Sequence, residues 1–253
     1  MSKQQYDLAD AGETLGRRTV LKTALGAAAL FSIGAGGALS GVAYAASLSK
    51  AQRDAMTPDQ VIAAMAKGNE RFRSGKPLRH DYLAQQRSSV GAQYPSAVVL
   101  SCIDSRAPAE IVMDSGIGET FNSRVAGNVV NDDLLGSMEF ACAAAGAKVV
   151  LVMGHTGCGA IKGAIDHVEM GNLTGLLARI RPAIAQTQYA GERSSKNADF
   201  VDAVARSNVL YTMEQIRKRS DVLAKLERDG QIKIVGAMYH LNGGRLEFLP
   251  TTA

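Results

Sequence analysis

Short runs of apolar, mostly β-branched residues recur along the chain and predict buried strands. The two clearest runs occupy residues 97–100 and 149–153, and polar or turn-forming residues follow each of them. Elsewhere the apolar positions recur at helical spacing, as they do at Val61, Met65 and Phe72. Strands that alternate with helices predict an α/β fold, in which helices flank a mostly parallel central sheet.

Both ends of this α/β region carry further elements. The segment from about residue 49 to 93 predicts an N-terminal helical arm, in which Thr57 caps a helix that begins at Pro58. Residues 232–239 and 246–249 flank an Asn-Gly-Gly turn, which predicts a final pair of strands. We therefore expect a C-terminal antiparallel strand at the end of the sheet.

The N-terminal residues have the composition of an export signal. Paired arginines, Arg17 and Arg18, precede an uncharged stretch rich in Ala and Gly at residues 23–46. Ala43-Tyr44-Ala45 then supplies the small-x-small pattern of a cleavage site. These features resemble a twin-arginine signal peptide. A retained membrane anchor is the alternative, because the uncharged stretch is long enough to span a bilayer.

A cleaved signal sets the domain boundaries and the destination of the protein. We expect residues 1–45 to form the signal peptide and residues 46–253 to form one domain. The twin-arginine translocase would be a transient partner and would export the protein already folded. The expected location is the periplasm or another extracytoplasmic compartment.

Charge and cysteine content narrow the function classes. The formal net charge is only +4, and the basic residues are interspersed with acidic ones, so the sequence predicts no nucleic-acid groove. The chain has three cysteines, an odd number that argues against a disulfide framework. Metal ligation is another use of cysteine in an exported protein.

Residues with metal-binding chemistry directly follow the two clearest strands. Cys102 and Asp104 come after the first, and His155 and Cys158 come after the second. Because the carboxyl ends of parallel strands meet at one edge of a sheet, we expect these side chains to converge. Zinc is most often held tetrahedrally by cysteine sulfur and histidine nitrogen, with carboxylate as a fourth ligand in some sites. The sequence therefore predicts a zinc site at this edge.

Cys142 and the pair formed by Asp104 and Arg106 each have an interpretation that does not involve metal binding. Cys142 lies in an Ala-rich helical segment and is expected to be an inert buried thiol. Asp104 and Arg106 stand two residues apart, where the guanidinium can clamp the carboxylate. The alternative for this pair is an ordinary surface salt bridge.

Taken together, these motifs resemble those of the β-class carbonic anhydrases. The resemblance extends over about residues 51–249. The segments that carry it are residues 102–106 (Cys-Ile-Asp-Ser-Arg), 155–159 (His-Thr-Gly-Cys-Gly), 124–128 (Arg-Val-Ala-Gly-Asn) and 68–72 (Gly-Asn-Glu-Arg-Phe).

The resemblance implies one Zn²⁺ per subunit, held by Cys102, His155 and Cys158. In that family the aspartate matched by Asp104 either closes the site as fourth ligand or turns to the arginine matched by Arg106 and leaves the position to water. Asp104 and Arg106 would therefore be the catalytic pair.

The resemblance further implies a substrate pocket of the plant-like type. Gln93 matches a glutamine that hydrogen-bonds the substrate, and Phe121 matches a pocket aromatic. Phe140 falls where those members often have tyrosine, so that hydroxyl is lost. Members with an inhibitory bicarbonate site carry tryptophan where this chain has Val99, so that form of control is not expected.

The implied activity is the reversible hydration of carbon dioxide to bicarbonate and a proton, with zinc-bound hydroxide as nucleophile. The family also implies a homodimer or higher homo-oligomer, in which Gln93 would serve the neighbouring subunit's site. One alternative is a carbon disulfide or carbonyl sulfide hydrolase on the same scaffold. Another is a non-catalytic zinc-binding module.

Overall fold

A five-stranded sheet forms the centre of the computed structural model, which describes residues 44–250. The strand order is β2-β1-β3-β4-β5, with the first four strands parallel and β5 antiparallel to β4. The strands are β1 (Ala97–Ser101), β2 (Thr120–Arg124), β3 (Val149–His155), β4 (Lys233–Tyr239) and β5 (Leu246–Phe248). The expected mostly parallel sheet with a C-terminal antiparallel strand is confirmed.

Helices precede the sheet as an arm and connect its strands. They are α1 (Lys50–Ala55), α2 (Pro58–Arg73), α3 (Tyr82–Ser89), α4 (Ala109–Val112), α5 (Asp132–Glu139), α6 (Gly159–Ile165), α7 (Gly171–Ala178), α8 (Arg181–Gln186), α9 (Ala198–Arg219) and α10 (Asp221–Arg228). A 3₁₀ turn (Ala126–Asn128) follows β2, and a π-helical turn (Phe140–Ala144) extends α5. Within residues 44–250, none of the helices has the length and apolar character needed to cross a bilayer.

The central strands are buried on both faces, which explains their uninterrupted apolar sequence. Because side chains alternate along a strand, Val98 and Leu100 of β1 enter one core, which contains residues of α5, α6 and α9. Val99 enters the core on the opposite face, together with residues of α2 and α4. The helices therefore hold the carboxyl ends of β1 and β3 from both sides.

The helical arm begins as the sequence predicts. The Thr57 hydroxyl accepts a hydrogen bond from Gln60 N (3.2 Å), the Gln60 side chain bonds back to Thr57 N, and Pro58 is the first residue of α2. A separate short helix, α1, precedes this cap, so residues 50–73 form two helices. Residues 1–43, which carry nearly all of the predicted export signal, lie outside the described residues.

Helix α2 docks closely against the segment that follows the first cysteine motif. A side chain at Gly68 would place its Cβ 1.8 Å from Met113 O, so only glycine permits this approach. The buried Asn69 amide donates to Val112 O (3.0 Å) and to Gly244 O (2.9 Å). Arg71 completes the contact with an ion pair to the buried Asp114. The arm is therefore anchored to the loop between β1 and β2.

Replacing Gly68 with alanine should destabilise the fold, because the fixed Met113 carbonyl cannot yield as a flexible side chain would. We expect the free energy of unfolding to fall by about 3 kcal/mol, measured by denaturant titration. Gly175→Ala in α7 is the matched control, since no heavy atom lies within 4 Å of its added Cβ. That control should gain up to about 1 kcal/mol. Equal stability of both variants would contradict the close approach.

Candidate metal centre

Three buried side chains from neighbouring strand ends converge on one point. Cys102 directly follows β1, His155 is the last residue of β3, and Cys158 stands before α6. The parallel register that pairs Ser101 with Met153 brings these strand ends together. One donor atom from each side chain lies within 4.8 Å of the other two. All three side chains are buried, with 1–5% of each residue exposed.

The turn between His155 and Cys158 depends on local backbone geometry. Gly157 has a φ of 64°, a left-handed conformation that favours glycine. Its N–H donates to Asp202 Oδ1 (2.8 Å), which ties the turn to α9. Cys158 then has extended backbone as the N-cap residue of α6, so its sulfur stays at the strand end instead of moving along the helix.

The geometry of these donors fits zinc. His155 Nδ1 donates to Thr156 O (2.9 Å), so the lone pair is on Nε2. That Nε2 is buried and has no hydrogen-bond partner within residues 44–250. The sulfurs of Cys102 and Cys158 are 4.0 Å apart, close to the separation of about 3.8 Å that tetrahedral zinc with bonds of about 2.3 Å requires. The donor set and the unpaired nitrogen both match a tetrahedral metal site.

The three donors are electrically coupled. The pKa of the Cys102 thiol lies well below its usual range, first because the Cys158 thiol donates to it, and further because of His155 and the Gly127 N–H, although burial opposes this. The pKa of Cys158 is raised, first by that same hydrogen bond and then by burial. Burial is the largest single effect on the pKa of His155 and lowers it, but Cys102, the Thr156 carbonyl and Asp104 together outweigh burial and the net shift is upward. A cation that binds both sulfurs displaces the proton that they share.

Asp104 lies at the edge of this cluster and is held by Arg106. Its carboxylate accepts from Arg106 Nε (3.0 Å), Nη2 (2.8 Å) and the backbone N (2.9 Å). Hydrogen bonding to Arg106 holds the pKa of this carboxyl far below its usual range, against an opposing effect of burial. Asp104 Oδ2 is 3.8 Å from His155 Nε2. The carboxylate is therefore ionised and adjacent to the three converging donors without being one of them.

Two residues near Cys102 were not identified from the sequence as parts of this centre. Arg124 Nε donates to Cys102 O (3.0 Å), and its Nη2 donates to Asp104 O (2.7 Å). The Gly127 N–H donates to Cys102 Sγ (3.3 Å). The register that pairs Arg124 with Ser101 explains both contacts, and it could be inferred only once β2 was placed beside β1.

The expected substrate residues lie elsewhere in the single chain. Phe121 pairs with Val98, four residues before Cys102, which corresponds to about 13 Å along a strand. Its ring makes an edge contact with Phe140, and both line a cavity of about 690 Å³. Gln93 is exposed in the segment before β1, at the opposite end of that strand from Cys102.

Cys142, by contrast, stands apart from the donor cluster. It is a free, buried cysteine, and burial raises the pKa of its thiol to about 12. The expectation of an inert buried thiol agrees with this environment.

Comparison with known proteins agrees with the geometry. A family model described as carbonic anhydrase matches residues 97–246. A carbonic anhydrase of Mycolicibacterium smegmatis is 35% identical over 190 residues, which cover 73% of this chain and 89% of that protein.

Solved structures share the fold. The β-carbonic anhydrase CafA of Aspergillus fumigatus aligns with a TM-score of 0.60 at 23% identity, covering 77% of this chain and 93% of that one. Two tetrameric β-carbonic anhydrases are known from Sordaria macrospora, and the matching chain aligns with a TM-score of 0.59 at 20% identity. That alignment covers 77% of this chain and all of that one (100%).

Removing one of the three donors should abolish metal binding. We expect Cys102→Ala to reduce bound zinc from about one ion per chain to a small fraction, because two remaining protein ligands hold zinc weakly. Elemental analysis of the purified protein after dialysis measures this. Cys142→Ala is the matched control and should keep its zinc, since Cys142 lies outside the cluster. Full zinc content in Cys102→Ala would contradict the assignment of the donors.

Proposed function

Because the chain belongs to the β-class carbonic anhydrase family, we propose that it catalyses the reversible hydration of carbon dioxide to bicarbonate and a proton at a zinc centre. Cys102, His155 and Cys158 hold one Zn²⁺ per subunit in this proposal. The observation that carries it is the buried cluster of these donors, with an unpaired His155 Nε2 and an ionised carboxylate beside it.

In this proposal the residues around the zinc have separate roles in the reaction. When bound, zinc supplies a Lewis acid that lowers the pKa of water from about 15.7 toward 7. Asp104 accepts a hydrogen bond from the attacking water and so orients its lone pair toward the carbon of CO₂. Arg106 keeps that carboxylate ionised and aligned through its three hydrogen bonds. Arg124 holds the backbone carbonyls on either side of Ile103, which keeps Asp104 in place relative to Cys102.

The same contacts support an open centre in this conformation. Asp104 is engaged by Arg106 through both carboxylate oxygens. In a closed state, in which Asp104 is the fourth zinc ligand, zinc would compete with Arg106 for the lone pairs of the same carboxylate. Arg106 therefore favours the arrangement in which the fourth position is left to water and substrate.

The substrate pocket is completed by a second subunit in our proposal. In the described part of the chain, β2 pairs on one side only, with β1, so its other edge is free to meet a partner. Phe140 lies next to this edge, is 59% exposed and lines a cavity there together with Phe121 of β2. A homodimer or larger homo-oligomer would cover this surface, and the tetrameric enzymes of Sordaria macrospora share the fold. Gln93 and Phe121 would then line the neighbouring subunit's plant-like pocket.

We further propose export by the twin-arginine route to the periplasm or another extracytoplasmic compartment. The paired Arg17 and Arg18, the uncharged stretch and the small-x-small pattern support it. A two-thiolate site benefits from this route, because zinc loaded in the reducing cytoplasm protects the sulfurs before they reach oxidants. Cleavage after Ala45 would remove Tyr44 and therefore also the backbone hydrogen bonds that Tyr44 makes with Arg79 and Asp81.

Replacing Asp104 with asparagine should separate metal binding from catalysis. We expect zinc content to stay near wild type and CO₂ hydration, followed by stopped flow, to fall at least about a hundredfold, because asparagine lacks the negative charge and its NH₂ group cannot accept from Arg106, so the acceptor is weakened and no longer aligned. Asp59→Asn is the control, since Asp59 is exposed on α2 and distant in the chain from the centre. Substantial sulfide release from carbon disulfide by the wild type, with negligible hydration, would instead favour the sulfide-releasing hydrolase.

Replacing both Arg17 and Arg18 with lysine should block export. We expect the double variant to remain in the cytoplasmic fraction of a host that has the twin-arginine translocase. The wild type should appear in the periplasmic fraction with a new N-terminus near Ala46, read by N-terminal sequencing. Lys3→Gln, which removes a charge outside the arginine pair, is the control and should be exported normally. Equal export of all three proteins would refute the assignment.

A further inference from the structure

A buried polar residue of α9 connects to the sulfur of Cys102 through one intervening glycine. Asn208 has no exposed surface, and its Nδ2 donates to Gly127 O (2.8 Å). On its other side Gly127 donates its N–H to Cys102 Sγ (3.3 Å). Helix α9 therefore reaches a sulfur of the metal centre without touching it.

The conformation of Gly127 makes this connection sensitive to its anchor. The residue has φ 68° and ψ 20°, which is left-handed, and an added Cβ would lie 2.7 Å from Ile180 Cδ1. The positive φ favours glycine here, and glycine has many other conformations of similar energy. A hydrogen bond to the carbonyl of Gly127 holds one of the two peptide planes that meet at this residue, and so restricts the conformations in which its N–H can donate to Cys102 Sγ.

One polar atom of the Asn208 side chain has no hydrogen-bond partner in the described part of the chain, so a gain in stability does not explain why an asparagine is buried here. Its Oδ1 is buried and has no hydrogen-bond partner among residues 44–250, and the same is true of Asn128 Nδ2 in the adjoining turn. Leaving a buried polar atom unpaired costs more than a single neutral hydrogen bond returns. An asparagine at this position therefore does little to stabilise the core, although its one hydrogen bond, to Gly127 O, is well placed to orient Gly127.

We propose that Asn208 is a positioning residue for the metal centre, which holds Gly127 so that its N–H donates to the sulfur of Cys102. The inference rests on the proposed zinc site. The hydrogen bond fixes the rotamer of Cys102 before metal arrives and withdraws negative charge from the bound thiolate. Partners of this kind, one step removed from the ligand, tune affinity and electronic properties of metal sites.

The proposal is tested with Asn208→Leu, which keeps the branched shape of the side chain and removes the donor. We expect zinc affinity, measured by competition with a chromophoric chelator, to weaken about 10- to 100-fold. In the cobalt-substituted protein the sulfur-to-metal charge-transfer band should move to longer wavelength, because the sulfur becomes a better electron donor. Neither readout depends on enzymatic activity.

Ile216→Ala is the matched control on the same helix. Ile216 is fully buried, and Arg217 beside it bonds Ile234 O near the start of β4, at the opposite end of the sheet from the centre. This variant should lose stability but bind zinc with wild-type affinity and an unchanged cobalt spectrum. Asn208→Leu with wild-type affinity and spectrum would overturn the proposal, whatever its stability.

A second variant decides the matter if Asn208→Leu does not fold. The serine side chain of Asn208→Ser is shorter and reaches Gly127 O only through a water. We therefore expect its zinc affinity to be weaker than that of the wild type, by less than 10-fold. Wild-type affinity and spectrum in Asn208→Ser would then overturn the proposal. A wild-type protein that binds no zinc would instead refute the proposed function itself, so the two failures are distinguishable.

Discussion

The parallel pairing of β1 with β3 is the constraint on which the rest of the structure depends. Its register places Cys102 and His155 at adjacent strand ends, and the left-handed turn at Gly157 returns Cys158 to the same point. The two sulfurs are close enough to share a proton when no cation is bound, and the buried His155 Nε2 has no hydrogen-bond partner among residues 44–250. The strand pairing thus sets the fold and also creates a strong site for a metal.

A second set of contacts fixes the orientation of the groups in and around this centre. Arg106 holds Asp104 beside the donors, and Arg124 holds the backbone between them. Helix α9 adds two more contacts, through Asp202 to the turn after His155 and through Asn208 to Gly127. The side chains that would take part in catalysis are therefore held in place by contacts from β2, from the loop after β1 and from α9. Such support restricts the positions of the donors to a small volume before any ligand binds.

Much of the fold could be predicted because it follows from local patterns. Apolar β-branched runs indicated β1 and β3, the cap at Thr57 indicated the start of α2, and the paired final strands followed from the turn between them. The α/β sheet with its antiparallel last strand is confirmed. The separate α1 and the π-helical turn at Phe140–Ala144 were not predicted, because helix interruptions of this kind are set by packing against neighbours.

The amino-acid sequence by itself determined the types of donor, their order and the strand ends that carry them, because these follow from residue chemistry and from periodicity along the chain. Only the tertiary structure decided that Arg124, Gly127 and Asn208 meet at Cys102, and that Phe121 lies far from it in the same subunit. The register of neighbouring strands and the rotation of α9 bring these residues together. Both depend on side-chain packing between segments distant in sequence, which no local pattern encodes.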